Sequence, residues 1–148
     1  SQFTKIVSLT PYEDPVKHIL WLIKFRDKKF LIEYIRKLLE EHIHFLQHDI
    51  DLIIPVPIHK QRLQERGFNQ STEFIRTTAA KLNIPLVQNC LIREHQTHSL
   101  YALGRNERQH ELQGVFRCIA PEIVHNKKYF YSMTLLHLAP HFQNAPPC

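Results

Sequence analysis

The stretch DLIIPVPIHKQRLQERGFNQS, residues 51–71, decides how the chain is read. It opens as a short apolar run with a β-branched pair, Ile53 and Ile54, then passes through Pro55-Val56-Pro57 into a charged segment that ends in Gly67-Phe68-Asn69-Gln70. The apolar run is too short for a helix, and its continuous apolarity is the pattern of a strand buried on both faces of a parallel sheet. The prolines cannot donate to a ladder, so they end the strand. In open α/β sheets, ligands sit beyond the carboxyl ends of the strands, where a helix N-terminus offers free backbone NH groups to an anion. Residues 55–71 occupy that place. Gly67 can take a positive φ or let backbone approach a ligand, and His59, Lys60, Arg62 and Arg66 surround the segment with cationic side chains. A phosphate or diphosphate ligand fits these features, and so does a solvated basic loop whose glycine merely turns the chain.

Outward from this segment, the chain alternates helices and strands. Residues 15–25 carry Val16, Ile19, Leu20, Leu22 and Ile23 at helical spacing, with Asp14 as the expected N-cap and Pro15 at the first helical position. Residues 29–46 repeat apolar side chains every three or four positions, with Glu33, Arg36, Lys37 and Glu40 on the opposite side. Residues 69–82 predict a helix capped by Asn69 or Ser71, whose less polar stripe is Phe74, Ile75, Thr78 and Leu82. Further along, IPLV and CLIR are strand candidates, RNERQHEL a short helix and GVFRCIA another strand. This order predicts an α/β sheet with crossovers.

Length and composition set the frame. A chain of 148 residues with 43% hydrophobic content is the size of one domain with a real core. Lys and Arg outnumber Asp and Glu by 19 to 14, a mildly positive balance that suits phosphate-bearing ligands or nucleic acid as well as ordinary surface charge. The three cysteines, Cys90, Cys118 and Cys148, lack metal-ligand spacing and leave one unpaired in any disulfide scheme. That pattern predicts a reducing, cytoplasmic setting. No apolar run is long enough to span a membrane, and the N-terminus lacks the order of a signal peptide. The chain begins at Ser1 and not at Met, as a fragment would.

The block PVPIHKQRLQERGFNQS resembles the signature of the competence-protein F (ComF) family, phosphoribosyltransferase-like proteins linked to DNA uptake in naturally transformable bacteria. Lys24-Phe25 ahead of a long helix matches a helical segment upstream in that family. Downstream, Arg93, Thr97, Leu100, Leu103, Arg108, Glu111, Gly114 and Phe116 follow its order, with Leu100 where Gln is usual and Glu111 where Asn is usual. The resemblance runs from about residue 15 to residue 116. It implies a type I phosphoribosyltransferase-like parallel sheet flanked by helices, truncated at its C-terminal end. It also implies a diphosphate loop at Arg66, Gly67, Asn69 and Gln70, supported by His59, Arg62, Arg93 and Arg108. The ligand it implies is phosphoribosyl diphosphate with Mg2+, and the partners are competence DNA-uptake proteins. No catalytic residue is assigned. Family members usually carry a four-cysteine zinc module in front, whereas no cysteine precedes Cys90 here.

The C-terminal segment departs from this pattern. A type I phosphoribosyltransferase cradles the ribose 5-phosphate with two acids and a Thr-rich turn after a buried strand, of the form DDVTTSGAT. Residues 117–148 contain nothing of that kind and end in NKKYFYSMTLLHLAPHFQNAPPC. The genetic code offers a reason. Read with each triplet taken as the last base of one codon and the first two of the next, residues 128–148 permit VLLLDDVTTSGATLSECAAL, with the second Asp forced by Met133-Thr134. A frameshift near residues 126–128, where Lys127-Lys128 requires an A-rich run, is therefore expected. Residues 1–125 then form an incomplete phosphoribosyltransferase-like domain, and residues 126–148 are an aberrant tail that leaves the central strand short of a neighbour. Catalysis is expected to be impaired.

Other side-chain groups have simpler readings. The pairs His95 with His98 and His137 with His141 have no third ligand nearby, so no metal site is expected. Cys90 and Cys118 are expected as small core residues. Trp21, Phe25 and Phe30 are expected in the core; the alternative is base stacking beside Lys24, Arg26, Lys28 and Lys29. Besides the enzyme lineage, two functions stay open: a non-catalytic factor of the competence machinery that binds protein or nucleic acid, and an inactive gene fragment.

Overall fold

A computed structural model describes residues 14–43, 50–97 and 103–132. The chain is mixed α/β, in the order α1 (Val16–Phe25), a 3-10 turn (Lys29–Leu31), α2 (Ile32–His42), β1 (Leu52–Pro55), α3 (Lys60–Arg66), α4 (Gln70–Lys81), β2 (Leu91–Arg93), α5 (Arg105–Glu111), β3 (Phe116–Cys118), α6 (Pro121–Val124) and β4 (Tyr129–Ser132).

Every residue of β1 is buried, as its apolar run predicts. The strand alternates between two cores. Ile53 packs with Leu20, Ile23, Ile35, Phe74 and Ile75 from α1, α2 and α4. Leu52 and Ile54 face the other way, with Leu91, Phe116 and Val124. This period-two split places a layer against each face of β1 and makes it the centre of the fold. Its neighbours are parallel. β4 pairs along its whole length, from Leu52 with Tyr129 to Pro55 with Ser132, and Leu86 forms a single parallel bridge with Ile53 on the other edge. IPLV makes only that bridge because Pro85 has no NH to extend the ladder; its carbonyl accepts from Ile53 at 2.9 Å, and Val87 donates to Ile53 at 2.8 Å.

Several expectations are corrected. The central strand has the neighbour expected to be missing: Tyr129, Phe130 and Tyr131 are strong strand formers in the reading frame as written, so β4 pairs with β1 whatever the origin of the segment. The remainder of the tail, residues 133–148, lies outside the described residues. The sheet elements are also not all parallel, since β2 and β3 form an antiparallel pair from Leu91 with Cys118 to Arg93 with Phe116. At α1, Pro15 takes the N-cap position without a side-chain bond, so Asp14 does not cap the helix. The long helix expected over residues 29–46 starts with a 3-10 turn, and its α-helical part ends at His42. Trp21, Phe25 and Phe30 lie outside the core, 42%, 59% and 73% exposed. The buried stripe of α1 is Leu20 and Ile23, which leaves Trp21 and Phe25, one turn apart, on another face. Cys90 is buried, as expected of a core residue, whereas Cys118 is disulfide-bonded.

The helical layer is tied together by polar links as well as packing. Arg36 of α2 donates through Nε to the Glu73 carbonyl at 2.9 Å and through Nη2 to the Glu73 carboxylate at 3.2 Å. Lys81 of α4 reaches Glu40 of α2 at 2.7 Å. No helix among the described residues is long and apolar enough to cross a membrane.

Candidate functional site

The basic segment after β1 is a helix rather than a loop. Lys60-Gln61-Arg62-Leu63-Gln64-Glu65-Arg66 are all good helix formers, and both ends of α3 are closed by the flanking residues. His59 Nδ1 accepts from the Gln61 NH at 3.3 Å. Gly67 stops the helix in the left-handed conformation, φ +80°, with its NH donating to the Leu63 carbonyl at 2.8 Å. Gln61 donates to Glu65 one turn on, at 3.2 Å. The turn signal at Gly67 was legible in the sequence, while the helix ahead of it lacks the apolar period by which helices are usually recognised.

Asn69 then caps α4, as expected. Its Oδ1 accepts from the Ser71 NH at 3.1 Å, and its Nδ2 donates to the Val56 carbonyl at 3.0 Å. The amide thus fixes the start of α4 against the end of β1. With one bond at each end of that amide, Asn69 shapes the turn and keeps a second N–H and a second lone pair. Gly67 likewise serves the helix terminus, and no atom beyond its chain neighbours lies within 4 Å of where a Cβ would stand.

Four cations from three elements stand within electrostatic reach of one another: Lys24 at the end of α1, Arg62 and Arg66 on α3, and Arg93 at the end of β2. Burial, then Arg66, Arg62 and Arg93, draw Lys24 from its ordinary 10.5 down to about 8. Burial and Arg62 lower Arg66, with Glu65 opposing, and burial and Arg62 also lower Arg93. Among the described residues none of the four forms a salt bridge with a carboxylate, although six such bridges occur elsewhere in them. Clustered, partly desolvated cations with no carboxylate paired to them among the described residues favour an anion.

Hydrogen bonds aim the arginines. Arg66 Nη1 donates to Gln70 Oε1 at 3.1 Å. Gln70 is 2% exposed, and its Nε2 is buried without a hydrogen-bond partner among the described residues. Arg93 donates through Nη2 to Thr97 Oγ1 and lies 5.6 Å over the Phe116 ring. The structure therefore brings Phe116, distant in sequence, against Arg93 and its near neighbour Thr97. Of the expected site residues it joins Arg62, Arg66, Gln70 and Arg93. Arg108 falls on α5 with its side chain outside the described residues, and His98 and Leu100 lie wholly outside them. In the sequence Lys24 stands out only as part of a motif and as a neighbour of aromatics; its place in the cluster depends on how α1 packs.

Among the described residues, no group of three or more His, Cys, Asp or Glu side chains could hold a metal ion. The cluster is made of ammonium, guanidinium and amide groups, a donor set that does not fit a resident Mg2+, so no step is assigned to the metal.

In comparison with known proteins, the chain is similar to Competence protein F of Haemophilus influenzae, with 26% identity over 117 residues that cover 76% of this chain and 51% of that protein. The chain thus spans about half the length of the curated relative it matches, and the likeness supports a distant ComF-like relationship. No family model matches the chain. No solved structure matches it.

Proposed function

We propose that this chain carries the diphosphate-binding half of a ComF-like, type I phosphoribosyltransferase-like site and serves in a competence-associated process. The observation that carries the reading is the arginine cluster of Arg62, Arg66 and Arg93, none of which forms a salt bridge with a carboxylate among the described residues, beside the start of α4 and the end of β1. Phosphoribosyl diphosphate is the ligand class, with its diphosphate on the cluster. The similarity to Competence protein F supplies the cellular setting.

Sheet geometry supports the same reading. β4 runs parallel beside β1, and the Val56 NH donates to the Ser132 carbonyl at 2.8 Å, so the carboxyl ends of both strands finish side by side. In the shifted frame the paired acids fall at positions 132 and 133, where a type I phosphoribosyltransferase places its ribose-binding carboxylates. The frame as written has Ser132 and Met133 there. Anion binding is thus expected of this chain, and phosphoribosyl transfer is not. Titrating the full chain with phosphoribosyl diphosphate tests the binding, with Arg66→Ala and Arg93→Ala as controls; unchanged affinity in both variants sinks the reading. Sequencing the gene from codon 121 past codon 148 tests the lost acids, and a shifted frame without Asp-Asp and Gly removes that part.

A second reading is favoured by the exposed aromatics of α1. His18 stacks on Trp21 at 6.1 Å, Trp21 lies 6.0 Å from Phe25, and the Arg26 guanidinium sits 5.4 Å over the Trp21 ring. Such a ladder suits single-stranded nucleic acid. Trp21 is the only tryptophan, so its fluorescence reports directly. Quenching by an oligonucleotide supports this reading, and an unchanged spectrum at low salt removes it.

A further inference from the structure

We propose that Gln70 is a positioning residue of the anion site: its amide holds the Arg66 guanidinium in place without neutralising it, and leaves the Nε–Nη2 edge for two oxygens of a phosphoryl group. The inference rests on the reading of the segment after β1 as a diphosphate site and deepens it. Gly67 ends α3 directly after Arg66, and the turn there brings Gln70, the first residue of α4, back to that side chain. Arg66 Nη1 donates to Gln70 Oε1 at 3.1 Å. The contact stands on a fixed base. Gln70 is 2% exposed, and both of its chain neighbours are fastened: Asn69 donates to the Val56 carbonyl at 3.0 Å, and the Ser71 carbonyl accepts from Ser132 Oγ at 3.4 Å.

The chemistry of an amide explains why glutamine suits this place. A guanidinium can only donate, so the amide gives Arg66 its oxygen and its NH2 is left without that partner. Nε2 is buried with no hydrogen-bond partner among the described residues. An unbonded buried NH2 costs stability, and an apolar residue of similar size would avoid that cost. A glutamate would hold the arginine more tightly, as a charge-assisted pair, but would cancel its charge. Glutamine orients the guanidinium and keeps it a full cation. Among the described residues, Nη1 is the one nitrogen of the Arg66 guanidinium that donates a hydrogen bond. The parallel N–H groups of Nε and Nη2 remain, and such a pair binds a phosphate through two oxygens. The carboxylate next in the chain, Glu65, accepts from Gln61 at 3.2 Å instead.

The test is calorimetric titration of the full chain with inorganic pyrophosphate, with urea melts of each variant. Gln70→Glu keeps the shape and the acceptor for Nη1 but adds a counter-charge, so pyrophosphate affinity should fall about tenfold or more and depend less steeply on salt. Gln70→Met keeps the volume and removes the acceptor; it should weaken pyrophosphate by about three- to tenfold, with the salt dependence and the urea midpoint of wild type. In an Arg66→Ala background, Gln70→Met should change affinity by less than about twofold, because its effect runs through the arginine. A residue that merely supports the fold would give the same loss with and without Arg66. That result overturns the positioning role, as does wild-type affinity in both Gln70 variants. If Arg66→Ala weakens pyrophosphate and the Gln70 variants do not, this inference alone falls. If pyrophosphate does not bind the wild-type chain, the diphosphate reading falls with it.

Discussion

Asn69 donates from Nδ2 to the Val56 carbonyl at 3.0 Å while its Oδ1 caps α4 through the Ser71 NH. One side chain thereby joins the end of the central strand to the start of the next helix, across a sequence separation of 13. Asn69→Ala removes both bonds and should cost about 1–3 kcal/mol of stability, read as a lowered denaturant midpoint. Asn69→Asp keeps the cap acceptor and loses the donor, so it should fall between the two. Equal stability of wild type and Asn69→Ala would show that the tie contributes nothing.

Gly67 is required by its backbone and not by crowding. Its φ is +80° and there is open space where a Cβ would stand. Gly67→Ala should cost about 1 kcal/mol, and Gly67→Asn less, because asparagine tolerates the left-handed region. Anion affinity should change little in either variant. A large affinity loss at normal stability would mean that the Gly67 backbone itself contacts the ligand.

Lys24 should make stability depend on alkaline pH. Its folded value is about 8 against an ordinary 10.5, so between these limits the unfolded chain binds more protons and stability rises with pH. Below about pH 8 both states are protonated and the full penalty remains. Lys24→Met should therefore stabilise the empty protein by about 1–2 kcal/mol at neutral pH, allowing for solvent screening, and the gain should vanish above the ordinary lysine range. Urea melts across that interval measure it; a constant difference between variants contradicts the assignment.

Phe130 tests whether β4 is integral. It pairs with the fully buried Ile53 and packs against the core that α1, α2 and α4 share with β1. Phe130→Asp places a charge against that core and should cost more than about 2 kcal/mol. An unchanged melting curve would mean that residues 129–132 lie outside the cooperative unit.

How much was legible in the sequence differs from element to element. The central strand could be read from its four apolar residues, and α4 from its stripe and cap, because each signal is local and burial leaves a strong mark on composition. α3 could not, since a polar, solvated helix has no apolar period. β4 is masked in the sequence by the aperiodic tail around it, although Tyr-Phe-Tyr pairs with Leu52–Pro55 along its whole length. The exposure of Trp21 and Phe25 is not legible either, because hydrophobicity alone does not say which face of a helix meets the core.

The sequence by itself determined the α/β alternation, the buried strand, the turn at Gly67, the cap at Asn69 and the presence of basic side chains after β1. Each follows from chemistry within a few residues along the chain. Only the tertiary structure decided that Lys24, Arg62, Arg66 and Arg93 share one electrostatic environment, and that Arg93 meets Thr97 and Phe116. Those residues belong to elements brought together by packing against β1, and a charge depends on what surrounds it in space, which sequence distance does not encode.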